Sequence, residues 1–340
     1  MHRITMPATA ALVTGATGFL GRYIVEQLVA QGSRVRVLVR RDAPELAKLG
    51  VEIARGDITD RERVVAACEG TESVYHVAAV AGIWGPWQHF HSINVLGTEH
   101  VLAGCQRHGV ARLIYTSSPS VTFAGDDQAG VDESVPYPPR WLCHYPHTKT
   151  LAEQAVLRAN EPGRFLTCAL RPHLIWGPRD GHLVPRLIAR ARSGQLRRVG
   201  AGQNLIDMVY VENAAEAHLL ADRALQQPNS PAAGKAYFIS QGEPVNCWDW
   251  IDELLALAKL PPLQRSISLP AAYAIGAAFE GAYRLLRKTD EPRMTRFLAL
   301  QLGKHHYFDI SAARRELGYS PRVSIAEGMQ RLSESEVVKM

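Results

Sequence analysis

The chain has 340 residues, of which 46% are hydrophobic and 21% are charged. This composition is that of a globular protein, and it excludes a disordered chain, a collagen-like repeat and a coiled coil. The net charge is +5, but the cations are scattered along the chain without a dense basic run, so no nucleic-acid partner is predicted. At about 150 residues per domain, the length predicts about two domains.

The cysteines and the hydropathy pattern indicate where the protein works. The five cysteines are dispersed and form no Cys-x-x-Cys pair, so neither a disulfide framework nor a metal site is predicted. No stretch reaches the ~18 apolar residues that a membrane-spanning helix requires. We therefore expect a cytoplasmic protein without a transmembrane span.

In chain order, strand-like and helix-like segments alternate up to residue 170. Buried strands are predicted at 11–14, 35–39, 73–77, 113–116 and 166–170. Helices are predicted between them at 20–31, 61–68, 91–108 and 146–160. This alternation is typical of right-handed βαβ units, so we predict an α/β fold with a doubly wound parallel sheet of the Rossmann type.

After residue 171 the pattern becomes more irregular, with a strand at 237–240 and helices at 248–258 and 269–288. We predict a second, smaller, mostly helical substrate domain that is interleaved with late elements of the sheet. The predicted Rossmann domain comprises 8–175, about 205–242 and 306–312. The predicted substrate domain comprises 176–204, 243–305 and 313–340.

A glycine-rich turn, Thr14-Gly-Ala-Thr-Gly-Phe-Leu-Gly21, joins the first predicted strand to the first helix. Glycines at this spacing permit a tight turn, a close approach of a pyrophosphate and close packing of the helix on the strand. The N–H groups at the helix start attract phosphates. The alternative is a tight turn without a ligand, but the position between strand and helix favours a dinucleotide site. Its predicted residues are Gly15, Thr17, Gly18, Phe19 and Leu20.

Arg40 and Arg41 follow the second predicted strand, where NAD sites usually carry an acidic residue. A guanidinium suits a 2′-phosphate because it can bind two oxygens at once, so NADP(H) is the predicted cofactor. NAD(H) remains the alternative, with Asp42 as the acidic residue. Further residues predicted to border the cofactor are Asp57, Ile58, Ala78 and Ala79.

Tyr145 and Lys149 lie four residues apart at the start of a predicted helix, and therefore on one face. A phenol has a pKa near ~10, and a neighbouring ammonium stabilises its anion, so this pair is suited to proton transfer. Ser118 follows the fifth predicted strand, at the sheet edge where ligands bind. It could hydrogen-bond a substrate carbonyl, or it could simply cap a turn.

With these motifs, the sequence resembles the extended short-chain dehydrogenase/reductase family over nearly its whole length. Within that family it is most similar to the 3β-hydroxysteroid dehydrogenase-like branch, and there to bacterial 2-alkyl-3-oxoalkanoate reductases of olefin biosynthesis. The stretches that carry the resemblance are YTSSPSV (115–121), LRPHLIWGP (170–178), LVPRLIARAR (183–192), GKAYFISQGEP (234–244) and TRFLALQL (295–302).

The resemblance implies that Tyr145 exchanges the proton, Lys149 activates it and binds the ribose, and Ser118 orients the carbonyl. It also implies that Asn94 braces the active-site helix, and that the segment with Pro172 and Leu174 contacts the nicotinamide. The implied reaction is the NADPH-dependent reduction of a long-chain 2-alkyl-3-oxoalkanoate to the 3-hydroxy acid. The alternatives are a 3β-hydroxysteroid or sterol-4α-carboxylate 3-dehydrogenase, a nucleotide-sugar epimerase or dehydratase, and a non-catalytic dinucleotide sensor.

A β-keto acid also needs a cation near its carboxylate, and for this role we name His173 and Arg179. The segment 269–288 is expected to be a partly exposed apolar helix in which Glu280, Arg284 and Arg287 form a narrow polar stripe. It could lie in an interior or a dimer interface, or form a flap that contacts a membrane surface or a pathway enzyme. We expect a homodimer that binds a large apolar substrate.

Overall fold

The structure is a computed structural model that describes residues 10–339. In chain order, the first elements are β1 (Ala10–Thr14), α1 (Phe19–Ala30), β2 (Arg34–Val39), α2 (Pro44–Ala47), β3 (Glu52–Arg55), α3 (Arg61–Ala67), β4 (Ser73–His76), α4 (Trp87–Phe90), a π-helix (His91–Leu96), α5 (Gly97–His108), β5 (Arg112–Thr116), a 3₁₀-helix (Pro119–Thr122), β6 (Gln128–Val131), α6 (His144–Arg158) and β7 (Leu166–Pro172).

The remaining elements are shorter and less regular. They are β8 (Ile175–Trp176), α7 (Leu183–Arg192), β9 (Arg198–Val199), β10 (Leu205–Ile206), β11 (Val209–Tyr210), α8 (Val211–Leu225), β12 (Lys235–Ile239), β13 (Val245–Asn246), α9 (Cys247–Leu257), β14 (Ser266–Ile267), α10 (Leu269–Leu285), α11 (Arg296–Gly303), β15 (His306–Phe308), α12 (Ser311–Leu317), α13 (Ile325–Ser333) and α14 (Glu336–Lys339).

Seven parallel strands form the central sheet in the order β12-β7-β5-β4-β1-β2-β3. The order reverses between β1 and β4, where the chain winds first towards one edge and then towards the other. Apolar side chains of the helices cover both faces of the sheet. The predicted doubly wound α/β fold is thus confirmed, and ligands bind such sheets at the reversal point.

A second apolar cluster lies outside the central sheet. It is built around Trp176, Trp248 and Trp250 from β8 and α9, together with residues of α7 and α11. Beside it, β13, β10, β15 and β6 form a separate four-stranded sheet, so residues 306–308 pair there rather than in the central sheet. The domain boundaries proposed from the sequence stay a prediction.

Helix α10 differs from its prediction in the position of its polar residues. Glu280 is only 2% exposed, and it accepts a hydrogen bond from the backbone N–H of Arg296 at 2.8 Å. Gly276 lies one turn earlier on the same buried face, where an added Cβ would stand 2.6 Å from the carbonyl carbon of Thr295. The predicted polar stripe is therefore wrong at Glu280, because this carboxylate binds the start of α11. Between residues 10 and 339, no helix is both long enough and apolar enough to cross a membrane.

Candidate active site

At Gly15 and Gly21, the glycine-rich turn between β1 and α1 leaves no space for a side chain. Gly15 has φ +72°, and an added Cβ would lie 2.7 Å from the backbone nitrogen of Ala78. A Cβ on Gly21 would overlap the carbonyl oxygen of Gly15. Helix α1 begins after Gly18 without a side-chain cap. The turn therefore places uncapped N–H groups at the sheet reversal, where they fit a dinucleotide pyrophosphate.

Within this turn the other predicted cofactor residues differ in exposure. Thr17 is exposed and Phe19 is half-buried, so both side chains border the open side of the turn. Leu20 is buried in the core beneath the sheet. Its contribution to a cofactor site would come from its backbone.

Arg40 and Arg41 are exposed just after β2, and neither forms an ion pair with the residues that the structure describes. Asp42, the alternative ribose ligand, is instead paired with Arg55. Burial opposes ionisation of Asp57, but hydrogen bonds from Thr59 and the charge of Arg40 outweigh it and lower the pKa of Asp57. The edge of the sheet beyond β2 thus presents two exposed guanidinium groups that form no salt bridge with the residues described.

A buried hydrogen-bond chain, which the sequence analysis did not identify, holds β4 beside the glycine-rich turn. The Nδ1 atom of His76 lies 2.8 Å from the hydroxyl of Thr14, and its Nε2 atom lies 2.9 Å from the hydroxyl of Thr98. Burial and the charge of Lys149 lower the pKa of His76 to about 3, so the ring is neutral. The Thr14 hydroxyl also accepts a hydrogen bond from the N–H of Ala78 at 3.2 Å. The chain fixes Ala78 against Gly15, whereas the following Ala79 is exposed.

Asn94 forms hydrogen bonds with both the loop after β4 and the start of α6. It lies in the π-helix, where its amide exchanges hydrogen bonds with the backbone of Val80 at 2.9 and 3.2 Å. Its Nδ2 atom also donates to the hydroxyl of Thr148 at 3.1 Å, and that hydroxyl donates to the carbonyl of Tyr145 at 3.0 Å. Asn94 therefore links the loop after β4 to the turn of α6 that carries Tyr145. Ile58 is buried nearby against Gly97 of α5.

Lys149 is 2% exposed and donates to the carbonyl of Thr116, at the carboxyl end of β5, over 2.6 Å. Burial lowers its pKa to about 7, although the charge of Glu153 opposes this shift. Tyr145 is half-buried one turn earlier on α6. Burial raises the pKa of Tyr145, and a hydrogen bond with Ser118 opposes the rise. The structure thus brings Ser118 to the phenol of Tyr145, while the ammonium of Lys149 packs against the ring of Tyr115, 4.1 Å from its centroid.

Ser118 also acts as the turn cap that the alternative interpretation describes. Its hydroxyl accepts from the N–H of Ser120 at 3.3 Å at the start of the 3₁₀-helix. Its Oγ atom lies 2.9 Å from the hydroxyl of Ser120. The two interpretations are compatible, because capping orients the hydroxyl that meets Tyr145.

His173 and Arg179 do not present free cations to this site. His173 is buried, with Nδ1 2.8 Å from the carboxylate of Asp207 and Nε2 3.2 Å from Nδ1 of His306. Arg179 binds both carboxylate oxygens of Glu26 at 2.7 and 2.8 Å and stacks on Tyr23. Because the polar atoms of both residues are already engaged within the protein, the geometry favours neither as a ligand of the substrate carboxylate.

Two cavities are lined by segments that adjoin the predicted site residues in the chain. Cavity A has a volume of about 280 Å³ and lies between Trp84, Cys143 and His144, just before Tyr145, and the end of α10. Cavity B has the same volume and lies between Leu174, α7, α9 and α11. Ile83 lines both cavities.

Leu174, in the predicted nicotinamide-contacting segment after β7, has φ +41°. This backbone conformation is costly for a residue with a branched side chain, and such strain is found where function requires it. Here it directs an apolar side chain into the wall of cavity B. The neighbouring Pro172 is the last residue of β7 and is buried.

Comparison with known proteins agrees with this geometry. Residues 12–270 match the model of the 3-beta hydroxysteroid dehydrogenase/isomerase family. The chain belongs to this family. It is therefore an NAD(P)-dependent oxidoreductase that acts on hydroxyl or keto groups.

Two bacterial relatives are similar over almost the whole chain. The 2-alkyl-3-oxoalkanoate reductase of Shewanella oneidensis is 48% identical, over 96% of this chain and 86% of its own length. The protein of the same name from Stenotrophomonas maltophilia is 47% identical, over 95% of this chain and 98% of its own.

A human relative and a solved structure are more distant. The human sterol-4-alpha-carboxylate 3-dehydrogenase, decarboxylating, is 35% identical over 96% of this chain and 88% of its own. Among solved structures, gox2253 superimposes with a TM-score of 0.78 at 28% identity, over 96% of this chain and 97% of its own.

Proposed function

We propose that the protein reduces 2-alkyl-3-oxoalkanoates to the corresponding 3-hydroxy acids with NADPH. The observation that carries this proposal is the 48% identity to a 2-alkyl-3-oxoalkanoate reductase over 96% of the chain. The apolar wall of cavity B, which includes Leu174 from the segment after β7, supports it, because a long-chain substrate needs apolar surface.

Each of three residues of this chain has its own role in the proposed reaction. When bound, the reduced nicotinamide supplies the hydride that the carbonyl carbon requires. Tyr145 gives its phenolic proton to the carbonyl oxygen, and Ser118 donates a hydrogen bond to the same oxygen. Both hydrogen bonds strengthen as charge develops on this oxygen, so they lower the barrier rather than only increasing affinity. Lys149 lies one turn further along α6, and its positive charge stabilises the phenolate that remains.

The preference for NADPH rests on the exposed arginines after β2. Neither Arg40 nor Arg41 forms a salt bridge with the residues described, whereas Asp42 is engaged by Arg55. A 2′-phosphate would give these guanidinium groups a partner. Replacing Arg40 with Asp is expected to lower the NADPH/NADH ratio of kcat/KM by about tenfold or more. An unchanged ratio would show that Arg40 does not contact the 2′-phosphate.

The second candidate is a sterol-4α-carboxylate 3-dehydrogenase, which the 35% identity to the human enzyme of that name favours. Parallel assays of NADPH or NAD⁺ turnover with a 2-alkyl-3-ketoacid, a sterol-4α-carboxylate and a UDP-hexose separate the alternatives. We expect turnover of the ketoacid alone. Turnover of the sterol without the ketoacid would reject the proposed substrate, and no turnover of any of them would favour a dinucleotide sensor.

We also propose that the protein works in the cytoplasm and that the outer face of α10 contacts a membrane surface or a partner enzyme. The support is the exposure of large apolar side chains at its end, where Leu285 is 85% exposed and Leu286 is 64% exposed.

A further inference from the structure

The two cavities are lined by different segments that adjoin the proposed site: the start of α6 and the segment after β7. Cavity A is lined by Cys143 and His144, which directly precede Tyr145, whereas cavity B is lined by Leu174, which follows the nicotinamide-contacting strand end. Helix α11 also separates them, since Phe297 faces cavity A and the next residue, Leu298, faces cavity B. A substrate whose carbonyl lies at Tyr145 therefore meets a space on either side.

Cavity B has an apolar interior, and both of its arginines contact the same carboxylate. Leucine, isoleucine, methionine and tryptophan side chains form most of its wall. Its two arginines, Arg186 and Arg190, share the carboxylate of Glu291, which Arg186 contacts directly and Arg190 approaches to 3.6 Å. This cavity suits an unbranched alkyl chain.

Cavity A combines an apolar floor with an unmatched cationic rim. Phe90, Leu142 and Phe297 form part of the floor, and the C-terminal end of α10 forms the rim. Its one lining carboxylate, Glu280, is already bound by Arg296 at 2.8 Å and by Arg284 at 3.4 Å.

The two cations at the C-terminal end of this rim have no carboxylate partner among the described residues. Arg287 and Lys288 also line cavity A, and neither forms an ion pair with the residues described. The cavity therefore offers both apolar surface and free positive charge.

We propose that cavity B binds the chain beyond C3 of the ketoacid, and that cavity A binds C2 with both of its substituents, the alkyl branch and the carboxylate. This assignment rests on the proposed function and on the chemistry of the substrate. The carbonyl carbon of a 2-alkyl-3-oxoalkanoate carries a plain alkyl chain on one side. On its other side, C2 carries an apolar branch and an anion together, which is the combination that cavity A offers.

Two isomeric substrates test the assignment of the alkyl chains. In 2-decyl-3-hydroxybutanoate the long chain is on C2, and in 2-methyl-3-hydroxytridecanoate it lies beyond C3. These hydroxy acids retain their carboxylate, so their oxidation by NADP⁺ can be followed directly. Leu142→Trp fills cavity A and Leu298→Trp fills cavity B, and each variant is the matched control of the other.

We expect Leu142→Trp to lower kcat/KM about tenfold or more for the decyl isomer only, and Leu298→Trp to do so for the tridecanoate only. The assignment would be overturned if both variants lost kcat/KM on the same isomer, or if a variant lost it equally on both isomers. If either tryptophan variant does not fold, the phenylalanine variant at that position replaces it. Failure of the wild type to oxidise either isomer would instead reject the proposed function.

The position of the carboxylate has its own test. The double variant Arg287→Gln, Lys288→Gln should raise KM about tenfold for the acid and leave KM for its methyl ester unchanged. Arg186→Gln, which removes a cation from cavity B, should show no such difference between acid and ester. If the difference occurs with Arg186→Gln, or with neither variant, cavity A does not bind the carboxylate.

Discussion

At the scale of single residues, the proton-transfer role of Tyr145 gives the most direct prediction. Tyr145→Phe removes the hydroxyl and keeps the ring, so turnover should fall by about two orders of magnitude or more. Cofactor binding, measured by fluorescence titration with NADPH, should stay within about twofold of the wild type. A variant with comparable kcat would show that another group supplies the proton.

Lys149 gives a prediction on stability as a function of pH. Burial lowers its pKa to about 7 in the folded protein, whereas a lysine in the unfolded chain keeps its ordinary pKa of ~10.4. Between these values the unfolded chain binds the additional proton, so this group makes the free energy of unfolding rise with pH. The wild type should therefore gain stability relative to Lys149→Met between about pH 7 and pH 10, as measured by urea denaturation. A constant difference would mean that the ammonium is not desolvated.

At the scale of elements, the outer face of α10 exposes more apolar surface than the fold requires. Leu285 and Leu286 contribute little to the core because they are 85% and 64% exposed. Replacing both with Ser should leave Tm nearly unchanged and should weaken binding to lipid vesicles or self-association, measured by flotation and sedimentation. If the double variant associates like the wild type in both assays, this face of α10 does not form the proposed membrane or protein contacts.

The elements also show what could be predicted from the sequence. The five strands and four helices predicted up to residue 170 follow from local periodicity and lie close to the observed elements, and the glycine-rich turn identifies the cofactor end of the sheet. The short elements α2, β3, α4 and β6 lie outside these predictions. The interaction of Glu280 with Arg296 and that of His173 with Asp207 join residues that are distant along the chain. Helical periodicity carries no information about such pairs. Consequently the sequence pattern places Glu280 in a polar stripe and His173 near the substrate carboxylate, whereas in the structure both contact other residues of the protein.

At the scale of the whole molecule, the site depends on both halves of the chain. The central sheet supplies the glycine-rich turn, Ser118, Tyr145 and Lys149, and the later elements supply most of the wall of cavity B. Trp84, in the loop after β4, donates to the carbonyl of Lys288 at 3.1 Å and packs edge-on against Tyr283 of α10. Because these contacts join the central sheet to the rim of cavity A, a cofactor bound at the sheet should stabilise the molecule as a unit.

Cofactor-linked stability can be tested at two glycines that share a backbone conformation. Gly15 and Gly32 have φ +72° and +80°, so an alanine at either position is strained and should lower Tm, and Gly15→Ala should lower it further because of its crowding. Only Gly15 is crowded, because its added Cβ would lie 2.7 Å from the nitrogen of Ala78, whereas nothing lies within 4 Å at Gly32. At a hundredfold excess over Kd, NADPH should stabilise the wild type and Gly32→Ala by about 2.7 kcal/mol. The Gly15→Ala variant should lose most of this gain in thermal unfolding, since alanine displaces the turn that meets the pyrophosphate. An equal gain in both variants would place the cofactor away from the glycine-rich turn.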